Sequence, residues 1–462
     1  MNQPWHEMSA LALGREIGAG VIDPVDLCTH FLERIKNAGN DTSIYLKVLP
    51  ERARAEAEAA RDRARSGLWR GPLDGVPVSW KDLFDTAGDT TTAASPILRQ
   101  RKPAATDAEV VRRATRAGLV CLGKTNLTEL AFSGLGINPA TGTPVNPFDD
   151  EHARAPGGSS SGAAISVVRG LAAAAVGSDT GGSVRIPAAW NRLVGLKTTN
   201  GLLPTEGMLP LAPSLDSIGT ITRDVADANA MLAVLRESKP VDLTGASLRQ
   251  RRLVIAEGAL WRDLDPSVEE TVRVAIGKLA AAGADVVMEP VDEFAEAVAL
   301  VGSHGPYVAV EGYAVWRDTI EADAKRVYRH VRDRFRAAKN ISSYDAGRLR
   351  LGMAEIARNL DSRMVGCDAM LSPTVAISAP VLAPLVDEPE RYIKANLKAL
   401  LNTTLGNVLG LTALTVPCGK DDKGLPVGLM LMTRANQEAA LLRLGIAAER
   451  ALEGGQGGRQ DD

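Results

Sequence analysis

The chain has 462 residues, of which 45% are hydrophobic and 24% are charged. This composition supplies a packed core and excludes a disordered chain, a collagen and a coiled-coil rod. Lysine plus arginine number 53 against 56 acidic residues, and the resulting net charge of −3 argues against a protein built to coat nucleic acid.

The predicted elements begin with a helical N-terminal segment, residues 1–70, with helices spread over Ser9–Ser66. From Gly71 onward, short apolar strands alternate with helices, which predicts an α/β sheet. In chain order we expect strands at Val76–Trp80, Leu119–Leu122 and Leu171–Val176, and helices at Asp107–Ala117, Asn126–Phe132 and Ser161–Val168.

A glycine-, serine- and proline-rich tract covers Ala155–Gly219 and is too long for a passive linker, so we expect function there. Further α/β elements follow the tract, and we expect residues 291–362 to be a mostly helical variable region. The sequence has no clear interdomain linker, which favours one large domain over residues 71–453. Residues 454–462 are predicted to be a disordered tail.

The four cysteines are scattered, as is typical of free thiols in a reducing compartment. The five histidines lack metal-ligand spacing, so we expect no metal site. The N-terminus does not have the pattern of a signal peptide, and the most apolar run, residues 399–416, is interrupted by polar residues and glycines. We therefore predict a cytoplasmic protein without a membrane partner.

Gly118–Thr125 matches the phosphate-loop pattern G-x-x-x-x-G-K-T. That loop must follow a strand, whereas here a helix precedes the first glycine and the strand lies inside the motif. We therefore reject nucleotide binding.

Gly158–Gly162 matches the G-x-S-x-G nucleophile elbow, with Ser160 as the nucleophile. An elbow must follow a buried strand directly, but the preceding residues, Asp149–Pro156, are charged and include a proline. A triad would also need His304 or His330, and neither has a supporting local context. We reject this interpretation too.

Lys325–Lys339 is basic and contains aromatic residues, a composition that suggests a nucleic-acid-binding segment. However, Val327, Val331 and Phe335 recur every four residues, which is typical of a core-facing helical stripe with arginines in solvent. We therefore expect no nucleic-acid partner.

Two glycine-flanked serine clusters remain, Gly157–Gly162 and Gly177–Ser183. Alone, each is most simply a turn or flexible loop. A short apolar helix and strand join them, however, and would bring Ser159 and Ser183 onto one rim of the sheet. The backbone amides just before Ser183 would then be available to a developing oxyanion.

A serine nucleophile needs a base, and no histidine is placed to serve as one. Lys81 follows an apolar strand, so its amine would be drawn inward, and burial would lower its pKa from about 10.4 towards neutrality. The alternative is a surface ion pair of Lys81 with Asp82 or Asp85.

From Gly71 to Arg434 the sequence resembles the amidase signature family. The match is strongest over Pro156–Asp227, with GGSSSG, GSDTGGSVRIPAA, VGLK and PLAPSLDSIGTITRDVAD. Further matches are DGVPVSWKDLF, AGLVCLGKTNLTELAF, LTALTVPCG and GLPVGLML. The resemblance implies an α/β/α domain around a large, mixed, twisted sheet.

By this resemblance, Ser183 is the nucleophile that forms an acyl-enzyme, and Lys81 is the base. Ser159 is the bridging serine, on a cis peptide after Gly158. The resemblance also implies that the amides of Thr180, Gly181, Gly182 and Ser183 are oxyanion donors. Ser160, Asp179 and Arg185 would support the site, and Ala131, Phe132 and Ser133 would line the substrate pocket.

The predicted function is hydrolysis of a small carboxylic amide, without a cofactor, by a homodimer. A second hypothesis is the glutamine-hydrolysing A subunit of a tRNA-dependent amidotransferase, but Ile186 stands where such proteins commonly carry glutamine. A third is a non-catalytic member of the fold, which would be expected to lack a triad residue.

For the substrate, Ile186 and Met208 favour aryl or alkyl amides over dicarboxylic ones. Four residues of the variable region, His304, Tyr307, Tyr313 and Trp316, line an aryl-accepting pocket or belong to the core. The sequence leaves these two alternatives open.

Overall fold

The computed structural model describes residues 3–39 and 43–454, so the predicted disordered tail lies, from residue 455 on, outside the described residues. Within the described residues, eleven strands form one sheet. They are β1 (Tyr45–Val48), β2 (Pro77–Lys81), β3 (Val120–Thr125), β4 (Ala174–Asp179), β5 (Val194–Lys197), β6 (Ser217–Thr222), β7 (Arg252–Glu257), β8 (Asp285–Pro290), β9 (Ala369–Pro373), β10 (Thr412–Lys420) and β11 (Pro426–Thr433).

Fifteen α-helices are found in the same part of the chain. They are α1 (Ala10–Gly18), α2 (Pro24–Asn37), α3 (Pro50–Arg65), α4 (Glu109–Arg116), α5 (Ser161–Val168), α6 (Arg185–Trp190), α7 (Val225–Arg236), α8 (Pro266–Ala281), α9 (Asp292–His304), α10 (Tyr307–Ala322), α11 (Arg329–Arg336), α12 (Ser343–Arg363), α13 (Ala383–Asp387), α14 (Pro389–Val408) and α15 (Glu438–Glu453). None of the described helices is long and apolar enough to cross a membrane.

The sheet is mixed, in the order β1-β3-β2-β4-β6-β5-β10-β11-β9-β7-β8. Strand β2 runs parallel to both β3 and β4, and β7 runs parallel to β8 and β9, while the remaining neighbours are antiparallel. Strands β2 to β6 are buried along their whole length, so both faces of the sheet must be covered by other elements. The predicted α/β fold around a mixed sheet is confirmed.

The predicted elements differ from the structure at several points. The strand predicted over Leu171–Val176 begins three residues later and runs to Asp179, as β4. The N-terminal segment is not only helical, because β1 lies within it and pairs with β3. The helix predicted over Asn126–Phe132 is only a 3₁₀ turn at Glu129–Ala131, where Leu130 has a φ of 50°. A left-handed backbone at Leu130 cannot propagate an α-helix.

Candidate active site

Strand β2 positions Lys81 at the edge of the sheet where the two serine clusters meet. Because β2 and β4 are parallel, with Trp80 opposite Val176, their carboxyl ends lie at the same edge. Lys81 is the last residue of β2, and the cluster Gly177–Ser183 begins within β4. The loop Gly157–Ser160 leads into α5, whose chain returns through β4.

The amine of Lys81 is fully buried and points at serine hydroxyls. Its Nζ lies 2.7 Å from Ser159 Oγ and 2.9 Å from Ser178 Oγ. The alternative of a surface pair is wrong, because Asp82 pairs with Lys124 and Asp85 pairs with Arg101. Lys81 therefore lies inside the fold, in contact with the bridging serine that the resemblance implies.

Burial lowers the pKa of Lys81 to about 7, although the negative charges of Asp179 and Asp216 act in the opposite direction. Desolvation disfavours the ammonium form, so an appreciable share of the amine is neutral near neutral pH. A neutral amine is able to accept a proton from a hydroxyl group.

The two serine clusters lie against each other. The backbone N–H of Ser160 donates to the carbonyl of Ser183 over 3.1 Å, and the peptide bond between Gly158 and Ser159 is cis. Ser159 is fully buried, whereas Ser183 is 5% exposed and lines a cavity. The structure thus brings Lys81, Ser159 and the segment of Ser183 to one edge of the sheet.

Asp179 and Arg185 shape the loop that carries Ser183. The Asp179 carboxylate accepts hydrogen bonds from the N–H groups of Gly182 and Val184, at 2.8 and 3.1 Å. Arg185 donates to the same carboxylate from Nε and Nη2, at 3.0 and 2.9 Å, and both side chains are fully buried. Burial alone would raise the pKa of Asp179, but the charge and hydrogen bonds of Arg185 hold it well below its usual range.

One of the four amides predicted to serve as oxyanion donors is already hydrogen-bonded in the structure. That prediction includes Gly182, but the N–H of Gly182 is already bound by the Asp179 carboxylate. Among the described residues, no hydrogen-bond acceptor contacts the backbone N–H of Thr180, Gly181 or Ser183. These three amides are the ones available to a developing negative charge.

Several residues around the loop were missed by the sequence analysis. Thr403 and Thr404 of α14 donate to the carbonyl of Gly181, at 2.7 and 3.1 Å. They lie more than two hundred positions from the loop, so no local pattern connects them. Ser178, by contrast, is inside the GSDTGG motif and contacts the amine of Lys81 directly.

Asp216, also missed, links the loop to Leu211, which lines the cavity beside Ser183. It accepts from the hydroxyl of Thr180 at 2.5 Å and from the backbone N–H of Leu211 at 2.9 Å. Burial raises its pKa to about 6. Above that pH its carboxylate is ionised and its charge acts on the nearby amine of Lys81.

A cavity of about 310 Å³ opens beside Ser183. Ala131, Phe132 and Ser133, predicted to govern acyl selectivity, all line it. Ser133 is held in place, since its hydroxyl donates to Asn396 Oδ1 over 2.9 Å. Most of the remaining wall is apolar: Leu211, Ala297, Val298, Val301, Pro306, Val308, Ala309, Leu397, Leu400, Leu401, Leu405 and Val408.

The four variable-region residues divide between the two alternatives. Tyr307 lines the cavity, whereas Trp316 is a core residue that donates from Nε1 to the carbonyl of Pro210 over 2.8 Å. His304 pairs with Asp345, and Tyr313 donates to Glu321, both outside the cavity. Neither Ile186 nor Met208 lines the cavity. The cavity wall is apolar because of other residues than the two that the sequence suggested.

The basic segment is helical only in part, because α11 covers Arg329–Arg336 and Val327 lies in extended backbone before it. Its apolar side chains are nevertheless buried, with Val327 and Val331 at 3% and 0% exposure. The placement of all its arginines in solvent is wrong. Arg334 lines the cavity and its guanidinium lies over the ring of Phe132, 4.4 Å from the centroid.

The two rejected motifs have structural roles. In the phosphate-loop match, β3 begins at Val120, inside the motif, and Lys124 is buried against Asp82 at 2.8 Å. In the elbow match, Ser160 follows a loop, and the candidate base His330 is stacked on Tyr392 with ring centroids 4.0 Å apart.

Known proteins resemble this chain along nearly its whole length. The amidase family profile matches residues 26–442. A 2-amino-5-chloromuconic acid deaminase from Comamonas testosteroni is 38% identical over 413 residues, which cover 88% of this chain and 87% of the relative. The A subunit of the glutamyl-tRNA(Gln) amidotransferase from Anaeromyxobacter dehalogenans (strain 2CP-C) is 35% identical over an alignment of 491 positions, gaps included, which covers 98% of each chain.

A solved amidase crystal structure has the same fold, with a TM-score of 0.85 and 29% identity, and the match covers 96% of this chain and 100% of that one. The resemblance that the motifs around Ser159 and Ser183 suggest is therefore confirmed over the whole fold. The chain belongs to the amidase family and is an amide-hydrolysing enzyme.

Proposed function

We propose that the protein hydrolyses a small carboxylic amide through an acyl-enzyme on Ser183, with Ser159 and Lys81 as the proton relay. The observation that carries this proposal is the buried amine of Lys81, 2.7 Å from Ser159 Oγ. Its lowered pKa makes a base available at the pH where a serine hydroxyl is otherwise unreactive.

In the first half-reaction, Ser183 Oγ attacks the carbonyl carbon of the amide. Its proton passes to Ser159, whose own proton passes to the neutral amine of Lys81. The carbonyl oxygen becomes an oxyanion, which the N–H groups of Thr180, Gly181 and Ser183 stabilise. Collapse of this intermediate breaks the C–N bond while Ser159 delivers a proton to the departing nitrogen and takes one back from Lys81, which becomes neutral again.

In the second half-reaction, water attacks the ester on Ser183. The same relay removes one proton from the water molecule, and the tetrahedral intermediate collapses to release the carboxylic acid. Ser183 regains its proton, so each turnover consumes one water and yields one acid plus ammonia or an amine. Neither half-reaction needs a cofactor.

The substrate class follows from the shape and lining of the cavity. A volume of about 310 Å³ lies at the lower end of the range for small-molecule sites. Its walls are largely apolar, which favours an amide with an aryl or alkyl body. The Comamonas relative is named for deaminating an acid, which supports ammonia as the leaving group.

Ammonia release from a panel of primary amides, anilides and glutamine tests the proposal. We expect turnover of a non-glutamine amide by the wild type and a loss of at least about 10³-fold in the Ser183→Ala variant. Ser161→Ala is the matched control, because this neighbouring buried hydroxyl has no hydrogen-bond partner among the described residues. Turnover that survives in Ser183→Ala would overturn the proposal.

A second candidate function is the glutamine-hydrolysing component of a tRNA-dependent amidotransferase, favoured by the 35% identity to such a protein. Under the first proposal, by contrast, the enzyme works alone or as a homodimer in the cytoplasm. Hydrolysis confined to glutamine, together with co-purification of partner proteins, would favour the amidotransferase. Turnover of other amides by the isolated chain would favour the stand-alone enzyme.

A further inference from the structure

The cavity beside Ser183 contains a positive charge that the proposed reaction does not use. Arg334 of α11 is the one charged side chain among the described residues that line it. The rest of the lining is apolar or carries hydroxyl groups. Arg334 therefore faces an apolar cavity, whereas its position in a basic helix suggests a side chain that faces solvent.

Within residues 3–39 and 43–454, the guanidinium of Arg334 has no counter-ion. Among the described residues, none forms an ion pair or a hydrogen bond with it, and its Nε is shielded from solvent without a partner. It stacks on the ring of Phe132, 4.4 Å from the centroid. Phe132 is in turn fixed edge-on against Phe335, with 4.7 Å between the centroids.

The neighbouring arginines of the same helix behave differently. Arg332 pairs with Asp333 at 2.9 Å, and Arg336 pairs with Glu321 at 2.5 Å. The helix therefore does not lack acidic partners in general. Arg334 is unpaired because it faces the cavity, where the walls supply no carboxylate.

A partly buried guanidinium without a counter-ion is unfavourable, because burial removes water without replacing its hydrogen bonds. Burial also lowers the pKa of Arg334, but a guanidinium remains charged at any physiological pH. An anion that enters the cavity would restore the missing interactions. The planar fork of arginine is suited to a carboxylate, which it binds through two parallel hydrogen bonds.

We propose that Arg334 binds a carboxylate group on the same molecule that carries the scissile amide, so that the substrate is a monoamide of a dicarboxylic acid with an apolar body. Ser183 and Arg334 line one cavity, and the apolar residues that line it with them suit the carbon skeleton. This inference rests on the proposed function and narrows it. It also reverses the sequence expectation, which favoured neutral aryl or alkyl amides over dicarboxylic ones.

Substrates that differ only in the charge at the far end test this inference. Adipamic acid, hexanamide and 6-aminohexanamide share one skeleton and end in a carboxylate, a methyl group and an ammonium group. Homologues with shorter and longer chains cover other separations of the two ends. We expect kcat/KM to fall in the order carboxylate, methyl, ammonium for the best chain length, by roughly 10-fold or more at the first step.

Variants of Arg334 show whether this residue causes the preference. In Arg334→Met we expect the ratio of kcat/KM between the acid and the methyl amide to fall to about one. Arg334→Lys keeps the charge without the fork and should retain part of the ratio. Arg332→Met, on the same helix outside the cavity, is the matched control and should keep the whole ratio.

Binding provides a readout that does not depend on turnover. The amides are titrated calorimetrically into Ser183→Ala and into the Ser183→Ala/Arg334→Met double variant. Tighter binding of the acid that disappears in the double variant supports the inference, even where no amide is hydrolysed and the proposed function fails.

Two results would overturn the inference. One is equal binding and turnover of acid and methyl amides by proteins that keep Arg334. The other is a preference for the acid that persists in Arg334→Met. If no amide binds at any chain length, the inference is also wrong, because the carboxylate contact is expected to contribute binding on its own.

Discussion

Lys81 shows how a residue's surroundings decide its chemistry. The same side chain in solvent would be an ammonium group, but full burial lowers its pKa to about 7. Two serine hydroxyls within 2.9 Å are able to hydrogen-bond either form of the amine. The site therefore holds a lysine that changes protonation state in the physiological range.

This pKa makes a prediction about the pH dependence of the reaction. The base must be neutral, so kcat/KM should rise as pH increases through about 7 and level off above it. Lys81→Met should lose at least about 10³-fold in kcat, because the relay loses its acceptor. The measurement is a pH–rate profile with a neutral amide, which does not itself titrate in this range. A profile that is flat, or that falls through this range, would contradict the assignment of Lys81 as the base.

Arg334 is the residue-scale feature that sequence reasoning placed wrongly. A four-residue stripe identifies which face of a helix is buried, and Val331 and Phe335 are indeed in the core. The stripe does not show that a cavity lies beside that buried face. Such information comes only from the packing of α11 against Phe132, a residue about two hundred positions away.

At the scale of elements, the loop before α6 depends on its contact with α14. Gly182 has a φ of 123°, and a Cβ there would lie 2.1 Å from Thr403 Oγ1. Since Thr403 also donates to the carbonyl of Gly181, the glycine and the threonine together set how closely the loop approaches the helix. No other residue type fits this approach without displacing one of them.

Gly182→Ala should therefore displace the loop and reduce kcat by more than about 10-fold. The matched control is Gly277→Ala in α8, where a Cβ meets no atom within 4 Å. That control should keep full activity and gain stability by roughly 0.5–1 kcal/mol, since alanine is the better helix former. Full turnover by Gly182→Ala would contradict the role given to this contact.

The pattern of elements was predictable where the sequence is periodic or alternates, as in α5, predicted over Ser161–Val168 and found there. The four-residue strand β1 was missed because it is too short to show a period, and the prediction had only helices around it. The two serines were found from clusters close together in the sequence, and Lys81 was found from the apolar strand that precedes it. Thr403 was missed because only the fold brings it to the loop. Asp216 lies inside the motif PLAPSLDSIGTITRDVAD, but the motif alone does not show that its carboxylate contacts Thr180.

At the scale of the whole molecule, three carboxyl groups meet where α1, α7 and α15 pack together: Asp224 at the N-terminus of α7, Asp227 within α7 and Glu449 in α15. Asp227 accepts the N–H groups of Ala10 and Leu11, both at 2.8 Å, and Glu449 accepts that of Val225 at 3.1 Å. Burial raises the pKa of Asp227 to about 7 and that of Glu449 to about 8, and repulsion by Asp224 adds to both.

These raised values predict how stability depends on pH. The folded state keeps protons that the unfolded chain loses near pH 4, so stability should fall as pH rises from there through about 7 and 8. Glu449→Gln removes one of these charges and keeps an acceptor for Val225. We expect it to be more stable than wild type at about pH 9, by on the order of 1 kcal/mol, and similar at about pH 5.

Thermal unfolding at both pH values checks this prediction, with Glu270→Gln on the exposed side of α8 as the control. The control should change little at either pH. A Glu449→Gln variant that loses stability at the higher pH would show that the carboxylate is favourably paired, contrary to this account.

The central claim is that Ser183, and no other serine of the two clusters, carries the acyl group. Intact-mass measurement of the enzyme quenched in acid during turnover of an amide, followed by peptide mapping, tests it most directly. We predict a mass increase equal to the acyl group on the peptide that contains Ser183, absent in Ser183→Ala. An increase on the peptide that contains Ser159 and Ser160, still present in Ser183→Ala, would contradict the claim.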